Sequence, residues 1–229
     1  MDRLEPLKDL NELNEAIHKK WIWGNRENYS KSCDYLQKVN FSIQDFNEEL
    51  ACLKDAKMKD IIYLIVLTDW IKEAVESFFS LLNERLLNGF IFENEKELKR
   101  VKDYFVALRS YAVAHPLSTN RHKKFELDGE FICIDVQKDA YPITKDFSYN
   151  KYWHHIDFDG LHANAKAISY DFVLISYSQS GDNYKFYKYI TGDFEDIRRV
   201  AELYIDKLYA LGRYLSKLKM RDYKVGGDL

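Results

Sequence analysis

Apolar positions along this chain fall first at helical spacing and later in alternation. Leu4, Leu7, Leu10, Leu13 and Ile17 recur every three or four residues and predict weakly patterned helix over the first forty residues. The stretch "WIWGN" closes that segment with bulky anchors and a glycine. Ser42, with Asp45 three residues on, reads as the N-cap of a helix over about 43–56. The strongest stripe follows: Ile61, Leu64, Ile65, Thr68, Ile71, Val75, Phe78, Phe79, Leu82 and Leu86. It predicts one helix from about Met58 to Asn88, a rod of roughly 46 Å at about 1.5 Å per residue. "NGF" at 88–90 supplies its stop. Asn94 caps the next predicted helix, whose inward face is Leu98, Val101, Tyr104, Phe105, Leu108 and Ala112. That helix must end near His115, because Pro116 pushes the residue before it out of helical conformation.

The period then changes. "KKFELDGEFICIDV" places Asp128-Gly129 between two short runs, which predicts a tight hairpin turn there. "SYDFVLISYS" and "YKFYKYIT", joined by "QSGDN", predict two more strands. Together they make a small antiparallel meander of three or four strands. Residues 138–168 are aromatic, irregular and long for a connection, as a functional loop would be. Asp193 opens a last helix, with a stripe from Phe194 through Ile197, Val200, Tyr204, Leu208 and Leu211 to about Lys219. The expected fold class is α+β, mainly α. A helical bundle (1–116) is followed by a β insertion (117–192) and a C-terminal bundle helix (193–220), all in one domain, 1–229.

Composition narrows the classes. The chain has 229 residues, 46% hydrophobic and 31% charged, with few glycines and prolines, as a folded domain has. A net charge of −3 excludes a bulk polycation but not a local basic site. "MDRLEPLKDLNEL" carries acids where a signal peptide needs an apolar run. "IIYLIVLTDWI" meets Asp69 too soon to span a membrane. Cys33, Cys52 and Cys133 follow no CxxC pattern and suit reduced core thiols in a cytoplasmic protein. Tyr63, Val66, Leu67, Trp70 and Leu81 lie beyond the main stripe of their helix, which predicts burial in a homodimer.

Candidate chemistry concentrates in "RSYAVAHPL", residues 109–117. On a continuous helix Arg109 and His115 would stand about 120° apart. At a helix end broken by proline they can converge on one pocket. The residue types suit metal-free RNA cleavage. Histidine can act as acid or base near neutrality, and a guanidinium forks onto two phosphate oxygens. Arg109 would be the clamp, His115 the acid or base, and Ser110 a phosphate holder or a residue that orients the arginine. The alternative is structural: an arginine in a last helical turn complements the dipole, and a histidine before proline satisfies carbonyls. Arg121, His122, Lys123 and Lys124 follow directly and can hold an RNA backbone, or simply form a solvated loop.

"LRSYAVAHPL" resembles the Arg-x4-6-His signature of HEPN (higher eukaryotes and prokaryotes nucleotide-binding) domains. The resemblance covers residues 43–115 and the helix from 193. It implies an all-α, often dimeric bundle with the β segment as an insertion; many members of that family are RNA-cleaving toxins or defence effectors, for which an antitoxin-like protein partner is expected, and others keep the bundle without activity. The commonest family spacing has four intervening residues, often with asparagine after the arginine. Here there are five, and Ser110 follows.

Other clusters carry weaker chemistry. His154, His155, Asp157, Asp159 and His162 are metal-capable types without a recognised zinc spacing. Asp69, Glu73 and Glu76 share one side of a helix but lack the histidine of bundle metal sites, and a solvated face or an intrahelix ion-pair row is the simpler reading. Tyr177, Tyr184, Tyr187 and Tyr189 can stack bases or pack a sheet. No metal or cofactor is expected, nor a membrane partner. A non-enzymatic dimeric interaction or ligand-binding module is the alternative to the RNA-directed reading.

Overall fold

A computed structural model describes residues 4–115, 117–125, 127–136, 147–148, 171–178 and 186–219. Its helices are α1 (Arg26–Cys52), α2 (Met58–Ser80), α3 (Glu84–Leu87), α4 (Glu95–Arg109) and α5 (Phe194–Leu215). Its strands are β1 (Ser118–His122), β2 (Leu127–Val136), β3 (Phe147–Ser148), β4 (Phe172–Ser178) and β5 (Phe186–Gly192). The fold is α+β and mainly α, with the sheet placed in sequence before the last helix. The chain divides into two compact units. One holds Met1–Ala51, Leu67–Leu98 and Arg199–Leu229; the other holds Cys52–Val66 and Lys99–Arg198.

In the first unit the chain start departs from the helical expectation. Residues 15–18 and 20–23 form only short 3-10 turns. The reason is local polar competition. Asn14 Oδ1 accepts the Ala16 N–H at 2.9 Å, and the side chain of Asn47 binds both the N–H and the carbonyl of Leu7, at 2.7 and 2.9 Å. Leu7, Leu13 and Ile17 are nonetheless buried. Gly24 then turns the chain with φ 73°, and Asn25 Oδ1 caps α1 by accepting the Asn28 N–H at 2.8 Å. α1 therefore begins seventeen residues before the expected 43, and Ser42 is a buried residue inside it rather than a cap. The stripe that drives α1 is Leu36, Val39, Ile43 and Phe46.

α2 is also shorter than its stripe suggested. It stops at Ser80. Leu81 and Leu82 bond to carbonyls three residues back, and Asn83 then caps the separate turn α3 through the Arg85 N–H at 2.9 Å. Leu82 and Leu86 remain buried, so the periodicity marked a face correctly across a helix break. Trp23 packs edge-on against Phe78, with centroids 4.8 Å apart, and donates Nε1–H to the Ile17 carbonyl at 3.1 Å. Of the cysteines expected in the core, Cys33 is half-buried and Cys52 exposed; both are free.

In the second unit one sheet runs in the order β1-β2-β4-β5-β3. The pairs β1–β2, β2–β4 and β4–β5 are antiparallel, as a meander requires. The two-residue β3 adds a parallel edge beside β5. The expected turn at Asp128-Gly129 is not where the chain reverses. Both residues lie inside β2, and the reversal is the 3-10 turn Lys123–Phe125. Gly129 pairs with Thr119 and has φ 141°, beside shifts of register on both sides of the strand. Its freedom serves a bulge, not a hairpin. α5 begins at Phe194, directly after Asp193 as expected, and ends at Leu215 rather than near Lys219.

Candidate functional site

The first part of the site is the end of α4. Leu98, Val101, Tyr104, Phe105 and Leu108 are buried, and this phase leaves Arg109 exposed at the helix's last position. The α-helix does not simply stop there. Ser110–Ala114 form a π-turn, closed by the His115 N–H on the Ser110 carbonyl at 2.9 Å. Such a turn holds one more residue than an α-turn, and π-turns within helices recur at functional sites. Tyr111 and Ala112 anchor it in the core, while Ser110 and His115 are half-buried. At His115 the backbone leaves helical geometry, with φ −134° and ψ 59°.

The second part is the β1–β2 reversal. Arg121 and His122 end β1, and Lys123 and Lys124 open the turn that follows. Phe125 closes that turn and packs edge-on against the buried ring of Tyr104 in α4, with centroids 5.5 Å apart. This aromatic contact fixes the turn against α4. Lys124 Nζ lies 4.4 Å from the Phe125 ring centre. The Arg121 N–H reaches Thr119 Oγ1 at 3.3 Å.

The two parts meet. Arg121 Nη1 lies 3.2 Å from His115 Nε2. The histidine of the helix-end motif is thus tied to the basic turn, a relationship the sequence did not announce. His122 is held below the usual histidine range, first by burial and then by the charges of Arg121, Lys124 and His115. Arg121, Lys123 and Lys124 are exposed. The result is a set of solvent-facing cations beside the imidazoles of His115 and His122. Such a set can take a phosphate, and an imidazole can move a proton beside it.

Phe125 and Thr119 are the residues that sequence reading missed. A lone aromatic directly after "RHKK" was the available signal for the first; Thr119 had none.

The remaining candidates sort differently. On α2, Lys72 is buried and pairs with Glu73 and, at 3.4 Å, with Asp69. Glu76 accepts the Tyr204 hydroxyl at 2.7 Å, and burial first, then that contact, raises the Tyr204 phenol above its ordinary range. Asp69 and Glu73 thus share an intrahelix ion pair with Lys72, whereas Glu76 bonds across to α5. Among the described residues no three metal-ligating side chains gather in one place. The 154–162 cluster and Tyr184 lie outside the described residues, and only Phe147–Ser148 of the 138–168 segment is described. Among the described residues no helix is long and apolar enough to cross a membrane. No protein-family model, characterised protein or solved structure matches this chain.

Proposed function

We propose that this protein is a HEPN-like RNA-binding protein that cleaves RNA without a metal ion, at the site built from Arg109, Ser110, His115 and the Arg121–Lys124 turn. The observation that carries the reading is the 3.2 Å contact between Arg121 and His115, which joins the proton-transfer residue to the cationic turn. The π-turn supports it as well. By taking up one residue, it gives five intervening residues the register that four would have in an unbroken α-helix.

In the reaction, a ribose 2′-hydroxyl loses its proton and its oxygen attacks the adjacent phosphorus. The P–O5′ bond breaks, and the leaving oxygen gains a proton. The products are a 2′,3′-cyclic phosphate and a 5′-hydroxyl. Arg109 neutralises charge on the phosphorane, Ser110 orients the phosphate or the arginine, and His115 moves a proton. The reading extends to a cytoplasmic toxin or defence role, with a homodimer and an antitoxin-like protein partner. Trp70 and Phe41, 40% and 53% exposed, offer apolar surface for association, whereas Leu67 is spent inside its own chain.

The test is cleavage of varied single-stranded RNAs in the presence of chelator. His115→Ala should abolish cleavage, Arg109→Ala should lower it at least as much, and Arg109→Lys should rescue it only in part. No cleavage by the wild-type protein, or equal cleavage by both alanine variants, overturns the reading.

A further inference from the structure

Two arginines of α5 spend one edge of the guanidinium on a carboxylate. Arg199 sets Nε and Nη2 on Glu97 at 3.0 and 2.9 Å, and Arg198 sets the same two nitrogens on Glu195 at 2.6 and 2.7 Å. Arg121 is placed differently. Among the described residues its guanidinium has one partner, Nε2 of His115, reached through Nη1 at 3.2 Å. Nη1 is not part of the edge that the α5 arginines use. The Nε–Nη2 edge of Arg121 is therefore complete, uncommitted among the described residues and, on an exposed side chain, open to solvent.

We infer that Arg121 is a phosphodiester clamp: its Nε–Nη2 edge makes a two-point contact with one backbone phosphate of the RNA, and His115, through Nε2, positions the guanidinium that makes it. This rests on the RNA-directed reading above and concerns how the strand is held, before any proton moves.

The chemistry of the edge fits a phosphodiester. A guanidinium stays charged, carries only donors, and its Nε–H and Nη2–H run parallel, so two phosphate oxygens can be met at once. The imidazole nitrogen it touches can only accept, so the contact uses one Nη1–H and leaves the fork intact.

The arginine is also held in advance. A free arginine loses rotamer freedom when it grips a ligand, and a partner that fixes it beforehand lowers that cost. His115 is itself fixed by its backbone bond to the Ser110 carbonyl at 2.9 Å. The backbone of Arg121 is tied to Thr119 Oγ1, and the turn that follows is docked on Tyr104 by Phe125. Lys123 and Lys124 are exposed on that turn and add charge without a fork. Arg121 thus supplies geometry where the lysines supply charge.

The test is binding of a fluorescent single-stranded 2′-O-methyl RNA to the full-length protein, read by anisotropy across a salt series. The methyl group blocks the attacking oxygen, so binding is measured without cleavage. Arg121→Ala should weaken binding at least about tenfold, the worth of one hydrogen bond to a charged group. It should also lower the slope of log affinity against log salt by about 0.7, one phosphate contact on a single strand. Arg121→Lys should keep the wild-type slope, because the charge remains, yet recover only part of the affinity, because an ammonium has no fork. His115→Gln can offer an amide oxygen in place of Nε2 and should bind close to wild type. His115→Leu cannot, and should weaken binding, with no further loss when added to Arg121→Ala. Wild-type affinity in Arg121→Ala, or full recovery in Arg121→Lys, overturns the clamp. The lysine variant is decisive by itself where alanine perturbs the fold. Equal binding by His115→Leu and His115→Gln overturns the positioning role. Cleavage of unmodified RNA by the same samples separates this inference from the reading beneath it. Cleavage by the wild type with Arg121 indifferent to binding sinks the clamp alone. Arg121-dependent binding without cleavage supports the clamp and sinks the ribonuclease. No binding by the wild type sinks both.

Discussion

Phe172 and Gly192 are partners across β4 and β5, and the phenyl ring of Phe172 lies directly against the glycine. A Cβ placed on Gly192 would fall inside the ring's van der Waals envelope. The ring has no easy retreat: it is fully buried and tilts onto Phe194, with centroids 5.8 Å apart. Gly192→Ala should therefore destabilise the fold by roughly 1–3 kcal/mol, the range for overpacking a close-packed core. Adding Phe172→Leu should recover part of that loss. Urea unfolding of the single and double variants measures both; an alanine variant with the wild-type midpoint would show that the ring moves freely.

Asp171, just before β4, caps α5 from outside the helix: its Oδ2 accepts the Phe194 N–H at 2.8 Å. Burial pushes this carboxyl up, and the N–H bond offsets only part of that shift. A carboxyl whose folded value is raised costs stability as pH climbs from its unfolded range to its folded one. Asp171→Asn keeps an oxygen acceptor without the buried charge. It should match or exceed wild-type stability at neutral pH, and its advantage should vanish in acid, where Asp171 is protonated. Asp171→Ala loses the cap and should cost about 1 kcal/mol. Thermal unfolding of the three proteins across that range checks the sign.

How legible this was in the sequence depended on what sets each feature. Inward faces came from side-chain period alone, so Leu98–Leu108 and Phe194–Leu215 were placed correctly. Helix ends came from single polar side chains, and these competed. Ser42 has the residue type of a cap, but it falls on the inward stripe of α1, and the helix is capped instead by Asn25, which the sequence reading did not single out. Asp128-Gly129 suits a turn or a bulge, and strand register, a long-range property, decided for the bulge. The members of the candidate site were readable as residue types in one short stretch. Their meeting was not, because it depends on a π-turn and on Phe125 docking against Tyr104, which no local pattern encodes.

Glu97 and Arg199 join α4 to α5 in a two-point ion pair, Nε to Oε1 at 3.0 Å and Nη2 to Oε2 at 2.9 Å. Nη1 also reaches Glu202 at 2.7 Å. Planarity lets one guanidinium serve both carboxylates, which an ammonium cannot do. Each side chain of the pair is 34% exposed, so water screens it. A double-mutant cycle of Glu97→Gln and Arg199→Lys should give a coupling of about 0.5–1 kcal/mol. The coupling should shrink in high salt, and a salt-independent value would mean that packing rather than charge holds the two helices here.

The Arg121–Lys124 turn makes a separate demand on RNA binding. If Lys123 and Lys124 contact phosphates, each releases condensed counterions on binding, and affinity falls with salt by a slope of about 0.7 per contact on a single strand. Lys123→Ala/Lys124→Ala should therefore weaken binding at low salt and flatten the plot of log affinity against log salt by about 1.4. Lys124 also lies over Phe125, so its loss can loosen the turn; Lys123→Ala alone, with a change of about 0.7, separates the charge effect from that packing effect. Neither lysine is assigned to the reacting atoms, so kcat at saturating RNA should stay near wild type while KM rises. An unchanged salt slope would identify the turn as a solvated loop. A collapse of kcat with no change in KM would place one of these lysines on the phosphate being cleaved.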